Sequence, residues 1–198
     1  MPWNAEHKEK SKEKILSSTT LLFTRKGFDE VSIDDVMREA GLTRGAFYSH
    51  FKSKSDIYNQ AIIYGAKKAR AHISDAEIES VMEFAENYLK IGTGEIDLQY
   101  CTLAFLITDI NQRDKTVKST YTKVLQGYHE VLESLGLTKS LALQISVLLI
   151  GGLALSRTVT DKNLKSDILN NCLQAIRKLV DDTHGPLIGP WVSSKGLI

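Results

Sequence analysis

Apolar residues in this chain recur at intervals of three and four, without strand-like alternation. Residues 9–26 place Ile15, Leu16, Thr19, Leu22 and Phe23 on one stripe, the spacing of an amphipathic helix. Gly27 supplies a left-handed C-terminal cap and Phe28 its hydrophobic contact. A second helix opens at Ser32, which with Asp35 makes an S-x-x-D capping box, and Asp34 and Asp35 suit the positive end of the helix dipole. Its Ile33, Val36, Met37 and Ala40 point inward. After Ala40-Gly41-Leu42-Thr43 a third helix, capped by Thr43, covers 44–51. Ser53 and Asp56 form another capping box and open a long fourth helix to about residue 73. The pattern predicts further helices at 75–91, 96–110, 115–135, 138–159 and 163–182. Gly92-Thr93-Gly94, the polar residues 111–114 and Gly136 separate them. The tail 183–198 holds three glycines and two prolines, so regular structure is not expected there, although Leu187, Ile188, Trp191 and Val192 are apolar enough to dock. The fold class is all-α with about nine helices.

Composition narrows this picture in three ways. The chain has 198 residues and three prolines, none of them between residues 3 and 185, which suits a run of helices. Two cysteines, Cys101 and Cys172, are too few for a disulfide scaffold. The net charge of +1 conceals an asymmetry: the first 72 residues carry a net +4 and the remainder −3, fitting a phosphate-binding head on a nearly neutral body. The N-terminus is polar and charged, unlike a signal peptide, so a cytoplasmic protein is expected. Residues 140–156 carry no charge but fall short of the ~20 apolar residues of a membrane span. They read as a helix buried on most of its circumference, with no membrane partner.

Residues 32–54, SIDDVMREAGLTRGAFYSHFKSK, have the layout of a helix-turn-helix. In its second helix Ala46, Phe47 and Phe51 face inward, the aromatic pair burying against Leu22, Phe23 and Val36. Outward lie the candidate DNA contacts. Arg44 suits guanine or phosphate, and Gly45 lets the backbone approach the groove wall. Tyr48 offers a hydroxyl to phosphate and a ring to a thymine methyl. Ser49, His50, Lys52 and Lys54 complete the face. Ser32 and Thr43, at helix N-termini, combine hydroxyl, amide and dipole on a phosphate. Lys8, Lys10, Lys12 and Lys14 alternate with Glu6, Glu9 and Glu13, which reads as a frayed solvated terminus before a minor-groove arm.

The run GLTRGAFYSHFKSKSD, with ILSSTTLLFTRKGFDEVSIDDVMREA before it, resembles the signature of the TetR family of bacterial repressors over roughly residues 10–60. The remainder is similar only in the number and lengths of its helices. The resemblance implies nine or ten helices, a homodimer formed by the last two long helices, a palindromic operator and a body cavity whose occupation weakens DNA binding. It divides the chain into a helix-turn-helix domain, 1–55, and a ligand-binding and dimerisation domain, 56–198.

Within the body, Tyr64, Phe84, Tyr88, Cys101, Phe105, Asp109, Tyr121 and Tyr128 are the candidate lining of a cavity for a small-molecule effector, and Tyr100 joins them as an aromatic neighbour. Cys101, near a helix start, carries an alternative: sensing by redox or electrophile modification. The partner stripe is read as Leu141, Ile145, Leu148, Gly152 and Leu155 with Ile168, Cys172, Ile176 and Leu179. Leu143, Val147, Ile150 and Ala154 lie on another side of the same helix. His7, His50, His72, His129 and His184 show no metal spacing, and no nucleophile, phosphate-loop or dinucleotide pattern occurs. No catalytic residue, metal or cofactor is expected.

Overall fold

The computed structural model describes residues 5–93 and 101–184; Tyr100, the rest of 94–100 and the tail from 185 lie outside the described residues. Among the described residues there are ten helices and no strand. They are α1 (Ala5–Lys26), α2 (Ile33–Glu39), α3 (Arg44–Tyr48), α4 (Lys54–Asp75), α5 (Val81–Thr93), α6 (Thr102–Phe105), α7 (Ile107–Asn111), α8 (Lys115–Ser134), α9 (Lys139–Thr158) and α10 (Lys162–His184).

The periodic segments form where expected, and the differences have local causes. α1 starts four residues earlier than the pattern suggested, so the basic N-terminus is helical and not frayed; Lys10 pairs there with Glu6 at 2.7 Å. The predicted helix 75–91 begins only at Val81. Glu77 takes a left-handed φ of 49° in the link, and Ser80 and Glu83 build a capping box. In that box Ser80 Oγ accepts from Glu83 N at 3.2 Å, and the Glu83 carboxylate accepts from Ser80 N at 3.2 Å. The helix then runs through Gly92, where a break was expected. The predicted helix 96–110 is two short pieces, because Leu106 (φ −107°, ψ 3°) interrupts the helical run.

Two apolar clusters organise the molecule. The first, under the head, joins Ile15, Phe23, Val36, Phe47 and Phe51 to Ile57, Tyr58 and Ile62 of α4 and to Leu106, Ile110 and Val117 of α6 to α8. The second fills the body between α5, α6, α8, α9 and α10. α4 takes part in both, with its first half under the head and Ile73 against the body.

The head is fastened to α7 by a polar junction. Asp109 accepts from Phe28 N at 3.2 Å and from the Tyr58 hydroxyl. Arg113 grips Asp29 with two nitrogens at 3.1 and 2.8 Å and lies 4.8 Å from the Phe28 ring centre. The guanidinium holds the Asp29 carboxyl below its ordinary range.

α9 is long and apolar enough to cross a membrane, yet half of it is buried inside the protein, and Ala142, Ile145, Leu149 and Leu153 have no exposure. It packs along α10. At their crossing an added Cβ on Gly152 would sit 2.5 Å from Cys172 Sγ of the same chain. Gly152→Ala should therefore destabilise the fold by about 1–3 kcal/mol in urea unfolding, and Cys172→Ala in the same chain should recover most of that loss. An unchanged midpoint for the single variant would contradict this packing.

Candidate nucleic-acid interface and effector cavity

Local chemistry explains each edge of the helix-turn-helix. Ser32 caps α2: its Oγ accepts from Asp35 N at 3.1 Å, and Asp35 Oδ2 accepts from Ser32 N at 2.9 Å. The bonds from the Ser32 hydroxyl and backbone, with Arg38 beside them, lower the Asp35 pKa to about 2. α2 ends at Glu39, and past its Ala40 cap, Gly41, with a φ of +65°, turns the chain while Leu42 N donates to Met37 O at 2.9 Å. Thr43, extended at ψ 155°, is the N-cap of α3 and makes no side-chain cap bond.

α3 spans five residues, where the sequence suggested eight. An isolated helix needs about 12–15 residues to persist in water. Phe47 and Phe51, 0% and 2% exposed, hold it in place; burial of each is worth roughly 2–3 kcal/mol. Their burial turns the opposite face outward. Tyr48 is 57% exposed, and Thr43, Arg44, Gly45, Ser49 and Lys52 are exposed beside it. In the free protein Arg44 pairs with Asp34 at 3.0 Å. Such an exposed pair is worth at most about 1 kcal/mol, so it yields readily to a phosphate or guanine.

Three sequence candidates play a different part. His50 is half-buried and its Nε2 lies 2.8 Å from Ser11 Oγ, tying the end of the helix-turn-helix to α1; burial first, then Lys8 and Lys12, lowers its pKa. Lys54 lies 4.2 Å from the Phe28 ring centre, and burial lowers its pKa. Both side chains are engaged within the protein in this structure. The Ser32 hydroxyl is engaged in its own cap.

In the body a cavity of about 210 Å³ lies between α4, α5, α6 and α8. Phe84, Tyr88, Cys101 and Tyr128 line it, as the sequence suggested. Tyr64, Phe105, Asp109 and Tyr121 do not. Tyr64 lies near Glu13 and Lys68 on the outside of α4. Phe105 is covered by the Arg157 guanidinium at 3.8 Å. Asp109 belongs to the head junction, and the Tyr121 hydroxyl donates to Leu103 O at 2.7 Å. The sequence missed the α4 lining, Ile63, Ala66, Lys67, Ala69, Arg70, His72 and Ile73. Ala66 and Ala69, three apart in the C-terminal half of that helix, are its trace in the sequence.

Cys101 is 5% exposed and its Sγ lies 2.9 Å from the Tyr88 hydroxyl. Burial raises its pKa, the reverse of what a reactive thiolate needs. The structure gives the modification reading no support.

The expected partner stripe divides. Leu141, Ile145, Gly152 and Ile176 are buried within their own protomer, and Cys172 faces Gly152. These five belong to the packing of α9 on α10, because the two helices turn those sides toward each other and toward the core. The side left open carries Leu143, Val147, Leu155 and Leu164, 52%, 65%, 57% and 48% exposed, flanked by half-buried Leu148, Ile168 and Leu179.

This arrangement is a helix-turn-helix head on an all-helical body. Residues 15–61 match the bacterial regulatory proteins of the tetR family. The transcriptional regulator YfiR of Bacillus subtilis is 33% identical over 85 residues, 42% of either chain. AcrR of Shigella flexneri is 29% identical over 83 residues, 42% of this chain and 37% of AcrR. IcaR of Staphylococcus aureus, a negative transcriptional regulator of the biofilm operon icaADBC, is 35% identical over 51 residues, 26% of this chain and 27% of IcaR. These matches span less than half the length of the relatives. The match in sequence to the TetR family of transcriptional regulators is confined to the head and the start of α4. In fold the likeness covers the body as well. A TetR-family regulator from Agrobacterium tumefaciens aligns at TM-score 0.70 and 21% identity over 85% of this chain and 98% of its own. Reduced NemR from E. coli aligns at 0.72 and 15% over 85% and 96%.

The Asp35 cap gives a pH signature. Its folded pKa is depressed, so its contribution is complete above the ordinary value of 3.8 and fades as pH falls toward about 2. Following the Asp35 carboxyl by NMR should show ionisation down to that range, and Ser32→Ala, which leaves the backbone bond and Arg38 in place, should raise the titration part of the way toward the ordinary value. An Asp35 that titrates normally in the unaltered protein would rule out the cap.

Proposed function

We propose that the protein is a transcriptional repressor that binds a palindromic operator as a homodimer and is released from it by a small molecule held in the body. The observation that carries the DNA reading is the exposed face of α3 and its flanks, which sets Thr43, Arg44, Gly45, Tyr48, Ser49 and Lys52 against a fully buried aromatic back. One such helix covers little of a duplex, so two are needed for useful affinity. The open apolar side of α9 and α10 supports the pairing. The working division is a DNA-binding domain over 1–55 and an effector and dimer domain over 56–198, acting in the cytoplasm where the operator lies. Repression follows the direction named for IcaR.

α4 supports the switch. Ile57, Tyr58 and Ile62 in its first half pack under the head, while Ile63 to Ile73 form one wall of the cavity. An effector that binds better when this helix is tilted moves both recognition helices off the operator spacing.

Binding to DNA flanking the protein's own gene, followed by fluorescence anisotropy across a salt series, tests the reading. Affinity should fall steeply with salt, and Lys52→Ala, which removes one phosphate contact from each protomer, should flatten the log–log slope by about two units. A salt-independent affinity, or none for that DNA, would overturn it. For the pairing, Val147→Glu with Leu155→Glu should convert the dimer to a folded monomer in analytical ultracentrifugation, since neither side chain serves its own core. A variant that stays dimeric places the interface elsewhere.

A further inference from the structure

The body cavity is built for one kind of molecule. An apolar protein cavity of roughly 150 Å³ takes a benzene. The 210 Å³ here therefore holds one ring with a short polar substituent, or a molecule of like bulk. Phe84, Leu103, Val124 and Val131 give it apolar walls.

Two buried polar atoms of the lining, the Tyr128 hydroxyl and His72 Nε2, have no hydrogen-bond partner. The Tyr88 hydroxyl, by contrast, is already engaged with Cys101. Burial raises the Tyr128 pKa well above the ordinary phenol range, so this hydroxyl keeps its proton and donates. No carboxylate lines the cavity among the described residues, and the charged lining groups are the exposed Lys67 and Arg70 of α4.

We infer that the effector is a compact, ring-sized molecule bearing an acceptor oxygen, a carboxylate by preference, which accepts from the Tyr128 hydroxyl beside His72. The inference rests on the reading of this cavity as the effector site. A cationic amine of the same size is disfavoured, because it can only donate, which leaves the Tyr128 proton without an acceptor, and it would meet the Lys67 and Arg70 potential.

Benzoate and benzylammonium are the size-matched probes, titrated calorimetrically into the intact protein. Benzoate should bind at least tenfold more tightly. Tyr128→Phe, which keeps the ring and removes only the hydroxyl, should weaken benzoate about tenfold. Gly127→Leu is the plug. Gly127 lines the cavity within α8, an added Cβ there meets nothing within 4 Å, and a helical glycine replaced by leucine is not expected to unfold the chain. It should abolish binding while circular dichroism stays unchanged. Equal or tighter binding of benzylammonium, indifference to Tyr128→Phe, survival of binding in Gly127→Leu, or failure of both probes to bind would each overturn the assignment. Operator affinity measured with benzoate bound separates the two readings: occupancy without loss of DNA binding sinks the effector role and leaves the pocket chemistry standing.

Discussion

A helix of five residues cannot sustain itself, and the surface proposed to meet DNA is such a helix. Phe47 and Phe51 fix it by burial in a core that is not the head's alone. Tyr58 and Ile62 of α4, Leu106, and Ile110 of α7 complete that core. The aim of Arg44, Tyr48 and Lys52 is therefore set by elements that also belong to the body. Rigid docking of α3 and its sensitivity to the body are one property of the packing.

The polar junction tightens this dependence. Phe28 N and the Tyr58 hydroxyl both donate to Asp109, and Arg113 clamps Asp29 on the link between α1 and α2. Asp109 lies on α7, which follows the short α6 whose start lines the cavity through Cys101, Thr102 and Leu103. Thr102 in turn donates to Ile62 O at 3.3 Å on α4. Two routes thus lead from the cavity wall to the head, one along α4 and one through α6 and α7, cross-linked by these hydrogen bonds. Both end on residues that hold the recognition helix in place.

Much of the fold was legible because helical spacing and caps are local. The stripe from Ile15 to Phe23, the Ser32–Asp35 box, the left-handed Gly27 and Gly136, and the inward Phe47 and Phe51 are each decided within a few residues. The misplaced boundary before Val81 was also local, since Ser80 and Glu83 make a capping box that the sequence displays. What the sequence hid is tertiary. Asp109 looks like a polar residue in an apolar run; only the fold brings Phe28 and Tyr58 to it. His50 and Lys54 carry the right chemistry for DNA, yet α1 and Phe28 claim them. The partner stripe could not be chosen from periodicity, because α9 is apolar on most sides and only its contact with α10 and the core decides which side stays open. The cavity lining failed by half for the same reason: an aromatic residue is equally suited to a wall, a bracket or a cover.

In the proposed function two copies of the α3 face engage one duplex together. Hydroxyl-radical footprinting on the DNA beside the gene tests it most directly. Paired protections related by two-fold symmetry are expected, with half-site centres about 34–36 Å or a multiple of that apart on one face of the helix. A single protected stretch without symmetry, or protection that survives replacement of both Arg44 and Tyr48 by alanine, would contradict it.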